Sequence, residues 1–296
     1  MLDMMISNTK NGFSVGEVYA MFRPFRPHHF KPLCGCGDSG CKLWVKIKDK
    51  GENNLYQSIF EEFPEIEYIV DSSKDPLWIH KQIKNLSGQE ITAYNILIWK
   101  DAISFCASML KRNKKNGINA WVNYHRLYLS LISEWIPISY SDLAQNSSVL
   151  LNKLCEKTGI NYEEGMENYW NKQHHTLFGN DSAKVHLSKS VDDYKIQDKK
   201  NPLLLPKEQK NNTDSHRSIY YNADNSMVPN ELKNEINSNA MVNQIIKKLL
   251  CEEIIQEKIT EETEVKFSPY KLTTIKLISC VKRCIGRSIG RYYRVF

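Results

Sequence analysis

The stretch EYIVDSSKDPLWI, residues 67–79, begins with an apolar run that stops at a cluster of polar residues. A short apolar, β-branched run bounded by polar breakers is typical of a strand, so a buried strand is predicted at 67–71. The same pattern predicts strands at 92–99 and 136–140, with helix-like sequence between the strands. This alternation predicts an α/β fold: a mainly parallel, three-layer sheet with helices on both faces.

Helices are predicted where apolar residues recur at three- and four-residue steps. These stretches follow Asp101 and cover residues 118–135, 147–157 and 230–258. Pro76 is expected to start the helix after the first strand, and Gly117 and Gly159 to close helices. We therefore expect an α/β core at 1–180, a polar, flexible insertion at 181–217, a helical remainder of the same domain at 218–264, and a basic tail at 265–296.

Composition narrows the class of protein. The chain has 296 residues, of which 41% are hydrophobic and 25% charged, as in ordinary soluble proteins. No apolar run reaches the roughly 18 residues that span a bilayer, and the first residues lack the pattern of a secretory signal. The eight cysteines are mostly scattered, which does not suggest a disulfide framework. A cytoplasmic location is predicted.

The C-terminal tail carries much of the positive charge. It contains eight lysines and arginines and no acidic residue, against a net charge of +6 for the whole chain. Apolar residues at helical spacing between the cations fit contact with an anionic membrane, whereas nucleic acid is not an expected partner. Alternatively, the tail pairs with the glutamates of residues 252–264. Both interpretations remain open at this stage.

Two predicted strands end at a lysine. Lys74 follows the first strand, with Ser72 and Ser73 as small donors, and Lys100 follows the second. Ligands of parallel sheets bind at the carboxyl ends of the strands, so the two lysines indicate a phosphate or sulfate site. Ser108, two helical turns after Lys100, joins this site only if the loop folds back. The alternative is that both lysines are simply solvated.

Several segments resemble, in order and rough spacing, the sulfotransferases that use 3'-phosphoadenosine 5'-phosphosulfate (PAPS). The similarity covers about residues 2–180 and resumes at HRSIYYNAD, residues 216–224. The segments are LDMMISNTKNGFSVGEV (2–18), CGCGDSGCKLW (34–44), DSSKDP (71–76), LIWKDAISFCAS (97–108), ISYSDL (138–143) and HHTLFGN (174–180). The resemblance implies an enzyme of P-loop-like fold that transfers a sulfuryl group to a hydroxyl of a carbohydrate, lipid or small metabolite.

The resemblance also implies roles for individual residues. Lys74 matches the lysine that stabilises the transferring sulfuryl group, and Glu17 lies near an acid that activates the acceptor. Lys100 and Ser108 match an arginine and a serine that hold the 3'-phosphate, and Tyr140 matches an aromatic residue beside the nucleotide. PAPS is the implied co-substrate, and no metal is expected.

The chain departs from the family in two ways. Lys100 stands where the family has an arginine, and lysine cannot bind phosphate through a bidentate fork. In addition, the family's first strand and its phosphosulfate loop would precede LDMMISN, so the resemblance implies an N-terminally truncated fold. The alternative function is that of a non-catalytic relative that binds a membrane or partner through its basic tail.

The histidines and the cysteine-rich loop admit other interpretations. The loop groups His28, His29, Cys34, Cys36 and Cys41, which are zinc-ligand types, but the spacing favours reduced thiols or a local disulfide. His125 lies on the apolar stripe of its helix and is predicted to be a core residue.

The pair His174 and His175 precedes LFGN. It is either the edge of a site or the end of a helix.

Overall fold

The computed structural model describes residues 1–89, 91–179 and 225–251. They form a mixed α/β structure with parallel strand pairs, which confirms the α/β part of the predicted class. The described residues divide into two compact units: the first contains 1–78 and 142–179, and the second contains 79–89, 91–141 and 225–251. Each unit holds one parallel pair of strands.

The elements follow in chain order. The strands are β1 (Gly12–Gly16), β2 (Tyr68–Asp71), β3 (Ile96–Trp99) and β4 (Ile136–Ser139). The helices are α1 (Leu2–Ile6), α2 (Tyr19–Phe22), α3 (Leu43–Asp49), α4 (Leu55–Glu62), α5 (Pro76–Leu86), α6 (Ala102–Leu110), α7 (Gly117–Leu131), α8 (Tyr140–Gln145), α9 (Ser147–Thr158), α10 (Asn230–Ser238) and α11 (Ala240–Cys251). Short 3-10 helices occur at Pro27–Phe30, Glu52–Asn54 and Tyr169–Asn171.

The first unit is built on the parallel pair β1–β2, in register from Gly12 opposite Tyr68. All five residues of β1 are buried, whereas β2 is half-buried, which corrects the expectation of a fully buried strand there. Helix α1 packs on both strands and on α9. Strand β1 is not predictable from its local sequence, because GFSVG contains two glycines and a serine and lacks a clear apolar run.

Lys172 binds the backbone of the loop between α1 and β1. The Nζ atom of Lys172 donates hydrogen bonds to the carbonyl oxygens of Ser7 (3.0 Å), Thr9 (2.5 Å) and Gly12 (2.8 Å). An ammonium group has three protons, so this arrangement uses all of them on backbone carbonyls. The loop between α1 and β1 is thereby tied to the segment that follows α9.

The second unit is built on the parallel pair β3–β4, with Ile96 opposite Ile136 and Trp99 opposite Ser139. Helices α6 and α7 pack together, and α11 packs on α7. Trp121 of α7 is fully buried, and its indole N–H donates to the Lys100 carbonyl at 2.7 Å. This bond fixes the backbone where β3 ends.

Most predicted elements are present, with three corrections. Gly117 begins α7 and does not close the preceding helix, which ends at Leu110. The predicted 92–99 strand is confined to Ile96–Trp99. The predicted 230–258 helix is split, because the side chain of Asn239 caps a new helix by accepting from the N–H groups of Met241 and Val242.

Other predictions are confirmed or lie outside the described residues. Pro76 starts α5, and Gly159 ends α9 with a φ of 74°. The insertion at 181–217 and the tail at 265–296 belong to the part of the chain that the structure does not describe. Among the described helices, none combines the length and apolar character needed to cross a membrane.

Candidate functional site

The carboxyl ends of β1 and β2 bring a lysine and a glutamate together. Glu17 follows the last residue of β1, and Lys74 lies three residues beyond the end of β2. Because the strands are parallel neighbours, both residues lie at one edge of the pair. The Nζ atom of Lys74 is 2.6 Å from Oε1 of Glu17, and the side chains are 35% and 25% exposed. A charged pair that solvent reaches therefore occupies this edge.

The backbone holds Glu17 in place. The N–H of Glu17 donates to the carbonyl of Leu177 at 2.8 Å, and the N–H of Leu177 donates to Val15 at 3.1 Å. Gly16 between them has a φ of +66°, a conformation that glycine adopts without the steric cost of a side chain. The segment around Leu177 thus holds the end of β1 and the backbone from which the Glu17 side chain extends.

The polar cluster after β2 is partly structural. The carboxylate of Asp71 accepts from the Tyr56 hydroxyl at 2.8 Å, the Trp78 indole at 3.2 Å and the N–H of Ser73 at 2.8 Å. Burial raises the pKa of Asp71, and these donors act in the opposite direction. Asp71 therefore fastens the turn that presents Lys74.

The two serines of the cluster are also used within the protein. The Ser72 hydroxyl donates to Oδ2 of Asp3 at 3.2 Å, and the Ser73 hydroxyl accepts from the N–H of Tyr19 at 3.0 Å. From the sequence, both hydroxyls were expected to act as donors to a ligand. In the structure they hold α1 and α2 against the strand end, which leaves Lys74 as the group of this turn suited to an anion.

Lys100 of the second unit contacts a hydroxyl and an aromatic ring. Its Nζ atom donates to Oγ of Ser108 at 3.1 Å, so the condition that the sequence set for Ser108 to join Lys100 is met. It also lies 5.2 Å from the ring centroid of Tyr140, within cation–π range. Within the described part of the chain, no carboxylate oxygen lies within 4.0 Å of this ammonium group.

The surroundings of Lys100 are partly dehydrated. Burial lowers the pKa of Lys100, while the charge of Asp101 acts in the opposite direction. The Asp101 carboxylate is occupied as the N-cap of α6, where it accepts from the N–H of Ser104 at 2.8 Å. Burial also raises the pKa of Tyr140 to about 12, so its hydroxyl is protonated at neutral pH. An incoming anion would compensate the partly buried charge of Lys100.

The predicted site residues therefore form two groups. Lys74 contacts Glu17 in the first unit, and Lys100 contacts Ser108 and Tyr140 in the second. Each group lies at the carboxyl end of a parallel strand pair.

A third group, the Cys/His cluster, consists of Cys34, Cys36, Cys41 and His175. Its ligand-type atoms all lie within 4.8 Å of one another. Nδ1 of His175 is 3.3 Å from Sγ of Cys34 and 3.7 Å from Sγ of Cys41. Cys36 is buried and the other members are half-buried. Burial also raises the pKa of the Cys34 thiol.

The backbone assembles this cluster. Cys34 forms an antiparallel bridge with Leu177, and the N–H of Gly35 donates to the carbonyl of Thr176 at 2.8 Å. A Cβ atom on Gly35 would lie 2.7 Å from Cγ2 of Thr176, so only glycine permits this approach. The Trp44 indole donates to the His175 carbonyl at 2.7 Å.

His175 was not predicted as a member of the cluster, and its place there corrects the sequence-based grouping. That grouping placed His28 and His29 with the cysteines, but His28 is exposed, and the ring of the buried His29 accepts from the N–H of Phe25 at 3.3 Å. His175 follows Cys41 by 134 residues, a separation at which spacing gives no signal.

Other histidines have structural roles. His125 is 4% exposed, which confirms the predicted core position. Its Nδ1 lies 2.8 Å from the Trp121 carbonyl. His174 is buried and bonds to the carbonyl of Tyr169 at 2.8 Å, so the two members of the 174–175 pair serve different purposes.

Comparisons with known proteins give no family assignment. No protein-family model matches the chain, and searches of curated proteins and of solved structures gave no significant match.

Proposed function

We propose that the chain is a PAPS-dependent sulfotransferase with the three-layer, P-loop-like fold of that family. The acceptor is a hydroxyl of a carbohydrate, lipid or small metabolite. The proposal rests on the ordered sequence segments and on one structural observation: the half-buried Lys100 contacts a hydroxyl and no carboxylate among the described residues. A cytoplasmic location is part of the proposal, because the eight cysteines of the sequence are mostly scattered and do not suggest a disulfide framework.

Lys100 and Ser108 suit the 3'-phosphate of the nucleotide. An ammonium group held by a neutral hydroxyl keeps its charge for an anionic ligand. The Ser108 hydroxyl also donates to the Ser104 carbonyl at 3.0 Å, which orients it. The ring of Tyr140 provides an apolar surface beside the cation.

Lys74 and Glu17 suit the chemical step. In sulfuryl transfer, the bond from sulfur to the bridging phosphate oxygen breaks, and a bond from sulfur to the acceptor oxygen forms. The acceptor proton passes to a base, for which the Glu17 carboxylate is the candidate, and 3'-phosphoadenosine 5'-phosphate leaves. The Lys74 ammonium stabilises the charge that develops on the bridging and sulfuryl oxygens.

The first test is calorimetric titration of the full chain with 3'-phosphoadenosine 5'-phosphate. We expect binding that Lys100→Ala weakens by about tenfold to a hundredfold, the contribution of a charge-assisted hydrogen bond. Lys115→Ala removes an exposed lysine of the same unit and serves as the matched control.

A second ligand makes the test specific for the 3'-phosphate. Adenosine 5'-monophosphate lacks that group, so Lys100→Ala should leave its affinity unchanged. Equal loss for both nucleotides would remove the assigned role of Lys100. A folded chain that binds neither nucleotide would contradict the proposed function.

The alternative function, membrane or partner binding through the basic tail, concerns residues 265–296. These residues lie outside those that the structure describes.

A further inference from the structure

We propose that Cys34, Cys36, Cys41 and His175 form a structural zinc site. Three thiolates and one imidazole are a common ligand set of closed, four-coordinate zinc sites in proteins. This inference departs from the sequence-based expectation that the protein contains no metal, and it does not depend on the proposed sulfotransferase activity.

The distances fit tetrahedral coordination. With Zn–S bonds of about 2.3 Å and Zn–N bonds of about 2.0–2.1 Å, a tetrahedron separates sulfur from nitrogen by about 3.6 Å. The two Sγ–Nδ1 distances in the cluster are 3.3 and 3.7 Å. Two sulfurs would be about 3.8 Å apart in the same geometry. All four ligand atoms lie within 4.8 Å of one another, so metal binding would have to shorten any sulfur–sulfur distance by about 1 Å at most.

Backbone contacts arrange the loop that carries the three cysteines. The bond from Gly35 to Thr176 and the bridge from Cys34 to Leu177 set the first cysteine beside the histidine. The N–H of Gly37 donates to the Cys34 carbonyl at 3.4 Å, and the N–H of Cys41 donates to the Asp38 carbonyl at 3.2 Å. These two turns bring the chain back so that Cys36 and Cys41 face the same point.

An apolar shell covers the imidazole. The ring of Phe13 stacks on His175 with centroids 6.2 Å apart and planes 6° apart, and the Phe63 ring lies 5.8 Å away. The neutral form of the imidazole ring is the one that binds metal. With Nδ1 as the ligand, the remaining ring proton is on Nε2. Binding of Zn²⁺ releases three thiol protons to solvent and leaves the complex with one net negative charge.

The cluster is also connected to the end of β1. Leu177, two residues after His175, bonds to both Val15 and Glu17. A metal bound at His175 therefore stabilises the segment that positions Glu17. The role is structural, because all four coordination positions belong to protein ligands and none remains for a substrate.

The test begins with the metal content of the intact 296-residue chain, purified under reducing conditions without chelator. We expect one zinc per chain by mass spectrometry of the metal. Removal of zinc and titration with Co²⁺ should give the visible absorption of tetrahedral cobalt together with a thiolate charge-transfer band. These measurements require no substitution.

Variants then identify the ligands. Cys34→Ser, Cys41→Ser and His175→Ala should each lose the bound zinc. Cys251→Ser, at an exposed cysteine, and His28→Ala, at the exposed histidine of the same loop region, should keep it.

Three results would overturn the proposal. The first is a folded native chain that contains no zinc and takes up no Co²⁺. The second is full retention of zinc by all three ligand variants. The third is a disulfide between two of the three loop cysteines in protein isolated under reducing conditions. None of these results bears on nucleotide binding, so the zinc site and the enzyme activity can fail separately.

Discussion

Lys74 and Glu17, which lie 57 residues apart in the chain, form an ion pair of 2.6 Å at the carboxyl ends of two adjacent parallel strands. Their exposed fractions of 35% and 25% mean that solvent screens the pair, so its contribution to stability is small. A pair of this kind costs little to open. A ligand oxygen can therefore replace the carboxylate at the ammonium group without a large energetic penalty.

Lys74→Ala should abolish most of the sulfuryl transfer while the protein stays folded. Removal of one preorganised donor lowers the rate of such reactions by about 100- to 1,000-fold. The measurement is release of 3'-phosphoadenosine 5'-phosphate from PAPS in the presence of hydroxyl acceptors. Lys46→Ala breaks a comparable pair with Glu62, at 2.8 Å on an exposed surface, and should leave the rate unchanged. Equal rates for native protein and Lys74→Ala would exclude the assigned role.

Gly16→Ala should destabilise the first unit strongly. A Cβ at this position would overlap the carbonyl oxygen of Leu177 and Oγ1 of Thr176, and the φ of +66° is unfavourable for alanine. The expected loss is about 3 kcal/mol or more in the free energy of unfolding, measured with urea.

Gly159→Ala provides the control for this substitution. Gly159 has a φ of +74° but no heavy atom near its Cβ position, so only the backbone term of about 1–2 kcal/mol should appear. Similar losses at the two positions would mean that the contact with Leu177 is unimportant.

Lys172→Met should destabilise the protein by about 1–3 kcal/mol, because three carbonyl oxygens lose their charged donor. Methionine retains most of the apolar stem, so the substitution isolates the ammonium group. Lys10→Met, on the exposed part of the same loop, should change the free energy of unfolding by less than about 0.5 kcal/mol. Equal effects of the two changes would argue against the three-carbonyl contact.

His125 should make the second unit less stable in acid. Burial lowers its pKa from 6.5 to about 4, whereas the unfolded chain has the ordinary value. A lowered histidine pKa means that the unfolded state binds the proton more tightly. The contribution of the neutral His125 to the free energy of unfolding is therefore fully present above pH 6.5, and it is lost as the pH falls toward 4.

The effect can be measured with urea between pH 7 and 5. Over that range the native protein should lose about 2 kcal/mol through this residue. His125→Gln should show a correspondingly weaker decline below pH 6.5 and the same dependence as the native protein between pH 7 and 9. An NMR titration that places the His125 midpoint near 6.5 would disprove the prediction.

The two strands that precede Lys74 and Lys100 were predictable because each has a clear pattern in its own local sequence. EYIVD and NILIW are short apolar runs that stop at polar residues, and the structure has strands at Tyr68–Asp71 and Ile96–Trp99. The sequence alone could not decide whether Lys100 contacts Ser108, since the contact depends on how far the lysine side chain reaches back over α6.

What escaped prediction depends on contacts between distant residues. β1 has a weak local pattern and becomes a strand through pairing with β2, more than 50 residues later. The serines of DSSK look like ligand donors in sequence, but Asp3 and Tyr19 engage them in the fold. In the same way, His175 completes the cysteine cluster through bridges at Leu177 that no spacing rule contains.

The separation of 134 residues between Cys41 and His175 has a consequence for biosynthesis. Ribosomes add about 5–20 residues per second, so on the order of 7–27 s pass between the appearance of the third thiol and that of the histidine. During this interval a nascent chain carries three neighbouring thiols without the imidazole that completes their cluster. Oxidation at this stage would join two of the thiols before the segment around Leu177 exists. The yield of correctly folded protein should therefore depend on the redox state of the cell during translation.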